Sequence, residues 1–389
     1  MARTALVAGA GIAGLAAAAA LVRHGWTVQV FERGPDLRAT GGGIGITPNG
    51  MQALDAIGAG DSVRARSVIQ REGGVRVPSG RWIARTGLGF VEERYGESIR
   101  ALLRIELVRA LAEALPAGTV HYGAKVEPGR FGDQHVPASI RVNGEEIEAD
   151  LVVGADGIRS ALRGAMHPDH PGLRDTRSGS WRCVVPAGGL APVAAETWGA
   201  GLRLSVLPLP GNKVHFSALA RLTGRRRASG TYEDLVRLFG GWHDPIPLML
   251  ARASAEQLFF DHIEELATPA DTFFLGRTVL LGDAAHPMTP NVGSANLAME
   301  DAVELGHAVA GAQSWDALRT GLVAYDASRR PRTAKLSTMS RWMGRVAEMS
   351  TPVAVTARNW GVWLGGLLPE AVSQRSMDAM VRWSVPPVR

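Results

Sequence analysis

The sequence predicts an α/β fold: a Rossmann-like nucleotide-binding domain, an antiparallel-sheet substrate domain inserted into it, and a helical C-terminus. Three observations predict it. A short apolar strand runs directly into Gly9-Ala10-Gly11-Ile12-Ala13-Gly14. Two further apolar runs, Leu151-Val152-Val153 and Val279-Leu280-Leu281, each end in a Gly/Asp turn that opens a helix. Between them, around residues 181–220, the pattern turns to short strands separated by Pro/Gly turns.

At 389 residues with 46% hydrophobic content, the chain exceeds one typical domain and can bury a sizeable core. Its net charge of +5 is mild for that length and is carried almost wholly by arginine. No basic stripe interleaves with aromatics, so nucleic acid is not expected as a partner. Arg225-Arg226-Arg227 reads as a solvated loop or as an attraction for an anionic cofactor such as NADPH. A lone cysteine, Cys183, excludes an intramolecular disulfide and a cysteine metal cluster, and the ten histidines lack ligand spacing, so no metal is expected. Reducing cytoplasm is the natural compartment. Arg3 and the apolar stretch to Val22 imitate a signal peptide, but their Ala/Gly content and glycine spacing argue against export or an integral membrane segment.

In order, strand 4–8 leads into the glycine fingerprint and a helix to His24, and strand 27–32 closes on Glu32. Gly9 allows the tight turn, Gly11 lets a pyrophosphate approach the backbone, and Gly14 lets helix pack on strand. Glu32 is placed for a ribose 2′-hydroxyl, with Arg33 beside it, and the helix start at Ile12 and Ala13 for the phosphates. The fingerprint does not separate NAD from FAD. The glycine-dense stretch 41–50, with Gly45 at its centre, can lie flat against a planar ring or serve as a linker. Residues 75–85 look strand-like and belong with a second domain. A helix is expected over 100–115, with Arg104, Leu107 and Leu111 on one face. Arg104 there has either a buried phosphate partner or a snorkelling surface role. Strands follow at 119–125 and 139–142 around an Asn143-Gly144 hairpin, and Val126 joins the expected cofactor contacts. Asp156 and Asp283 end the two later apolar strands, and a helix over about 294–310 presents its N-terminus beyond Pro290. The expected division is 1–75, 100–170 and 270–345 for nucleotide binding, 76–99 and 171–269 for substrate, and 346–389 for a helical tail.

With these blocks in this order, the chain resembles the single-component (class A) FAD-dependent aromatic hydroxylases, which share the p-hydroxybenzoate hydroxylase fold. Asp156-Gly157-Ile158-Arg159-Ser160-Ala161-Leu162-Arg163 matches their D-G-x-x-S-x-x-R block, and Gly282-Asp283-Ala284-Ala285-His286-Pro287 their G-D-A-A-H-P block. The resemblance implies non-covalent FAD, with Asp283 at the ribityl chain and Arg104 on the FAD side. It implies transient NAD(P)H, O₂, and hydroxylation or epoxidation of an aromatic or polyketide-like small molecule through a flavin C4a-hydroperoxide. Other functions remain open: a flavin reductase or dehydrogenase without oxygen insertion, or a non-catalytic flavin-binding protein.

Trp181-Arg182-x-Val184-Val185-Pro186 and Trp198-Gly199-x-Gly201-x-Arg203 look like the branch holding the FAD-dependent urate hydroxylases and small phenol hydroxylases. Arg203 matches a substrate-binding arginine there, whereas His215 stands at the place of a tyrosine, so urate is not the expected substrate. His215 is either a strand histidine satisfied by a neighbour or a base for a phenol, and no other catalytic base is identified. The halogenase W-x-W-x-I-P block and a thioredoxin-like domain are not found. A monomer or homodimer is expected. The family pattern P-N-x-G-Q-G-x-N-x-A-x-E-D is one residue shorter here, as Pro290-Asn291-Val292-Gly293-Ser294-Ala295-Asn296-Leu297-Ala298-Met299-Glu300-Asp301. The cofactor contacts expected from Pro290, Gly293, Ser294, Ala295 and Asn296 therefore carry one of two outcomes. Either one N–H donor to the flavin is lost, or the strand end shifts and every contact survives.

Overall fold

In the computed structural model, residues 3–37, 42–190, 192–222, 229–366 and 370–387 are described. Gly41 and Arg225-Arg226-Arg227 lie outside them. A six-stranded sheet runs in the order Phe274–Leu275, Thr278–Leu280, Leu151–Gly154, Thr4–Ala8, Thr27–Glu32, Val120–Tyr122. All neighbours are parallel except the hairpin pairing Phe274 with Val279. Apart from Thr4, the central strands Thr4–Ala8, Leu151–Gly154 and Thr278–Leu280 are buried on both faces and read as near-continuous apolar runs. The sheet order makes Leu151–Gly154, Thr4–Ala8 and Thr278–Leu280 adjacent. Three motifs that lie far apart in the sequence therefore leave the same sheet edge, at the strands' carboxyl ends, where ligands of such sheets bind.

The second large sheet runs Phe259–Leu266, Leu173–Pro186, Lys213–Arg221, Leu202–Leu209, Ala195–Trp198, Glu72–Arg76, Trp82–Gly87. It is antiparallel except where Glu196 pairs with Val75 and Thr197 with Arg76. The strand Glu72–Arg76 thus runs across the expected boundary at 75/76. Period-two alternation sorts its faces. Trp181, Cys183, Leu204, Phe216 and Ala218 pack with Leu235, Phe239 and Met249 in a core of their own. The opposite face carries Arg182, Arg203, Ser205, His215 and Ser217, brought side by side by the pairs Arg203–Leu219, Ser205–Ser217 and Leu207–His215.

Several elements differ from their expected extents. Residues 100–103 form a strand, Arg100–Leu103, paired with Gly43–Ile46, and the helix begins only at Arg104 and ends at Glu113. Pairing to the glycine-rich strand overrides helix propensity there. The strand expected over 119–125 shrinks to Val120–Tyr122, ended by Gly123 at φ +66°. The strand around 181–185 lengthens to Leu173–Pro186, bulged between Asp175 and Gly179. The C-terminal part is helical as Trp315–Ala347, Pro352–Gly365 and Glu370–Val381.

Candidate active site

At the N-terminal motif, Gly9 has φ +103°, and a Cβ there would lie 2.5 Å from the Ala155 carbonyl oxygen. A Cβ at Gly14 would lie 1.9 Å from the Gly9 oxygen, so both positions are closed to larger residues by packing. Gly11 faces open space instead, and it caps the Ile12–Arg23 helix without a side-chain bond. The first N–H groups of that helix, at Ile12 and Ala13, are therefore left for an anion. Glu32 accepts from Ala10 N (3.0 Å) and Gly34 N (2.8 Å), which fixes its carboxylate at the sheet edge. Arg33 is exposed beside it, and Val126 starts the strand Val126–Pro128, half-buried against the main core.

Asp156 caps the helix Ala161–Met166, accepting from Ala161 N at 2.8 Å and Leu162 N at 3.3 Å, while its Oδ1 is buried without a partner. Buried Arg163 donates to the carbonyls of Asp283 (3.2 Å) and Ala284 (2.9 Å), tying the second motif to the third. Asp283 itself is exposed and its carboxylate has no hydrogen bond among the described residues.

The glycine-rich strand Gly43–Ile46 meets the Ser294–Ala308 helix through Asn296, which donates to Gly45 O (3.2 Å) and accepts from Thr47 N (3.3 Å). A Cβ at Gly50 would lie 2.0 Å from Asn296 Oδ1, whereas Gly45 faces open space. Asn296 is thus a clamp between two ligand-facing segments, its amide bonded to both Gly45 and Thr47. Gly293, at φ +74°, accepts from both Asn296 N (2.9 Å) and Leu297 N (3.3 Å). That leaves the N–H groups of Ser294 and Ala295 free at the helix start. Arg104 is half-buried, and its guanidinium has no hydrogen bond or ion pair among the described residues. Burial lowers its pKa, with Asp283 opposing the shift. An unpaired cation, two free helix starts and two open glycines fit a long anionic dinucleotide. They fit FAD.

The polar sheet face, Gly43–Ile46 and the start of the Ser294–Ala308 helix enclose a cavity of about 500 Å³, to which Pro290 also contributes. Arg203 is 5% exposed, its Nε has no partner, and Glu196 Oε1 stands 3.8 Å from its Nη1. His215, buried, bonds through Nδ1 to the Cys183 carbonyl at 3.1 Å. Burial pushes its pKa down to about 4, the Cys183 bond opposing and Arg182 adding to the shift. The ring is neutral near pH 7, with Nδ1–H donating and Nε2 left as an acceptor, which makes it a weak base there. Arg182, Glu196, Ser205 and Ser217 also line the cavity and were not singled out from the sequence. Strand alternation carries that signal for Arg182, Ser205 and Ser217 once the register is known, but nothing local marks Glu196.

The profile of the "FAD binding domain" family matches residues 2–340. Aurachin C monooxygenase/isomerase of Stigmatella aurantiaca is 32% identical over 384 residues, 97% of each chain. 3-Amino-4-hydroxybenzoate 2-monooxygenase of Streptomyces cremeus is 35% identical over 88% of this chain and 86% of its own. Klebsiella pneumoniae HpxO, solved with FAD and uric acid, superposes with a TM-score of 0.86 at 26% identity, covering 98% of this chain and 96% of its own. The chain belongs to the FAD-binding-domain family, among the class A FAD-dependent aromatic hydroxylases.

Proposed function

We propose that this FAD-dependent monooxygenase hydroxylates an electron-rich aromatic ring bearing an acidic or enolisable oxygen, of the aminohydroxybenzoate or quinolone kind. One observation carries the reading: Arg203 is a buried cation whose Nε lacks a partner and whose nearest carboxylate is 3.8 Å away. A buried guanidinium with an unpartnered N–H and only a long ion pair remains costly until an anionic or strongly accepting oxygen meets it. Two relatives named above act on an aminohydroxybenzoate and on aurachin C, and a Pseudomonas aeruginosa relative, 32% identical over 96% of this chain and 95% of its own, is a 2-heptyl-3-hydroxy-4(1H)-quinolone synthase.

When bound, FAD would supply the redox and oxygen chemistry, with NAD(P)H as the electron source and O₂ as the oxygen source. The chain's own residues would then bind, orient and shield the substrate. Arg203 takes the substrate oxygen, Glu196 orients the guanidinium, and His215 Nε2 accepts from a ring hydroxyl. Glu32, Arg104, Asp283 and the two helix starts hold the dinucleotide. We assign the cofactor to a discontinuous unit of residues 1–75, 100–170 and 270–345 and the substrate chiefly to 171–269. The proposed assembly is a monomer or homodimer. Cys183, alone and buried, supports a reducing cytoplasmic setting.

The test offers a panel of hydroxybenzoates, aminohydroxybenzoates and hydroxyquinolones under ¹⁸O₂. The expected result is substrate-stimulated NAD(P)H oxidation with one ¹⁸O in the product. Electron transfer to a dye without ¹⁸O incorporation would make the protein a reductase, and failure to take up FAD would remove the reading altogether.

A further inference from the structure

The helix Pro352–Gly365 is amphipathic in the wrong sense for a solvated surface. Its inner face is pinned by buried Arg358, which donates to Gly199 O (3.1 Å), Ala347 O (2.7 Å) and Trp198 O (3.3 Å). Its outer face exposes Val353 (81%), Trp360 (59%), Trp363 (40%) and Leu364 (54%), at helical spacing on one side. Trp360 and Trp363 stand edge to face at 5.4 Å and, with Thr356, Asn359 and Arg81, line an open groove of about 360 Å³. Arg81 is exposed, and its guanidinium has no partner among the described residues. From Met349 to Gly366 the sequence holds no Asp or Glu, and Glu348 just before it is bonded to Ser178. One helix earlier, Trp342 is also exposed, with Arg345 beside it at i+3.

We infer that this face is a docking surface for an anionic lipid bilayer. Trp360, Trp363, Leu364 and Val353 enter the headgroup–acyl boundary, and Arg81 meets a headgroup phosphate. Tryptophan suits that boundary, having an apolar body and one polar N–H, and the arginine adds attraction to anionic lipid. The geometry is interfacial. No helix among the described residues is long and apolar enough to cross a membrane. A two-fold contact of this face with itself fits worse, since it would bury Arg81 against a groove whose described lining holds no carboxylate to receive it. The inference stands apart from the substrate and chemistry proposed above.

The FAD-loaded protein would be sedimented with vesicles of equal parts phosphatidylglycerol and phosphatidylcholine, and with phosphatidylcholine alone. Wild type should pellet with the anionic vesicles, and a Trp360→Ser/Trp363→Ser variant should bind about tenfold or more weakly with unchanged FAD content. Arg81→Gln should weaken binding to anionic vesicles and leave binding to phosphatidylcholine unaltered. Absence of pelleting, or pelleting that neither variant weakens, overturns the inference. So does a dimer in light scattering that the double tryptophan variant splits while vesicles capture nothing, which would assign the face to a second copy.

Discussion

Arg203 is buried with its Nε unpartnered and only a long ion pair to Glu196, so its effect belongs to the bound substrate more than to the fold. Arg203→Ala should lower kcat/KM about 10–100-fold, the scale of a hydrogen bond to a charged group. FAD content should stay as in the wild type, and a parallel loss of flavin would instead show a folding role. His215 makes a pH prediction. Its folded pKa of about 4 lies below the ordinary histidine value, so between those values the unfolded chain binds the extra proton. Stability therefore falls as pH drops from about 6.5 toward 4, by roughly 2–4 kcal/mol from this one group. Urea unfolding of wild type and His215→Asn across that range should show the wild-type curve dropping more steeply. At this scale the sequence was partly legible. Arg203 stood out through its motif, and Gly9, Gly11 and Gly14 through spacing. The neutral state of His215 was not legible, because burial depends on which sheet face the register assigns it.

The start of the Ser294–Ala308 helix shows how one element sets a site. Gly293 in the left-handed region turns the chain so sharply that its own carbonyl accepts from Asn296 and Leu297, leaving two free donors. A longer loop would let the helix begin one residue earlier and add a donor. Inserting glycine between Ser294 and Ala295 should then tighten FAD by roughly 1–3 kcal/mol and raise its reduction potential. Titration with FAD and a dye-coupled potential measurement check this, and no change in either would mean the short loop is neutral. The helix itself was readable from its small-residue pattern and its Glu300-Asp301 pair. The Asn296 clamp was not, because its partners Gly45 and Thr47 lie across another element. The same limit explains residues 100–103, whose strand exists only through pairing with Gly43–Ile46.

A buried charge network unites distant parts of the chain. Arg329, fully buried, pairs with Asp301 at 2.7 Å and Glu300 at 2.8 Å; Asp301 accepts from Gly282 N at 3.1 Å and contacts His286 at 2.6 Å. Arg332 closes on Glu300 from the other side at 2.7 Å, and Asn49 donates to Glu300 at 2.6 Å. The G-D-A-A-H-P turn, the glycine-rich segment and the long Trp315–Ala347 helix are thereby locked to the Ser294–Ala308 helix. No local pattern in the sequence marks Arg329, one arginine among many in a polar helix; only the packed fold shows that it is buried. Burial pushes the Asp301 carboxyl up, but His286 and Arg329 beside it win and hold it well below the usual range. A depressed carboxyl stabilises the fold above its unfolded pKa of about 3.9 and loses that contribution progressively as pH falls below it. Removing the central cation is the more direct probe, because it takes from both buried carboxylates the one charge they share, leaving Glu300 to Arg332 and Asn49 and Asp301 to His286 and Gly282 N. Arg329→Met keeps the side-chain volume close yet should cost about 3–5 kcal/mol, the penalty for breaking a buried pair from one side. Denaturant unfolding should show that loss near neutral pH. If the carboxylates take up protons to escape the penalty, the deficit shrinks as the pH is lowered toward 5. A variant as stable as the wild type at pH 7 would mean that solvent reaches this core and the network contributes little.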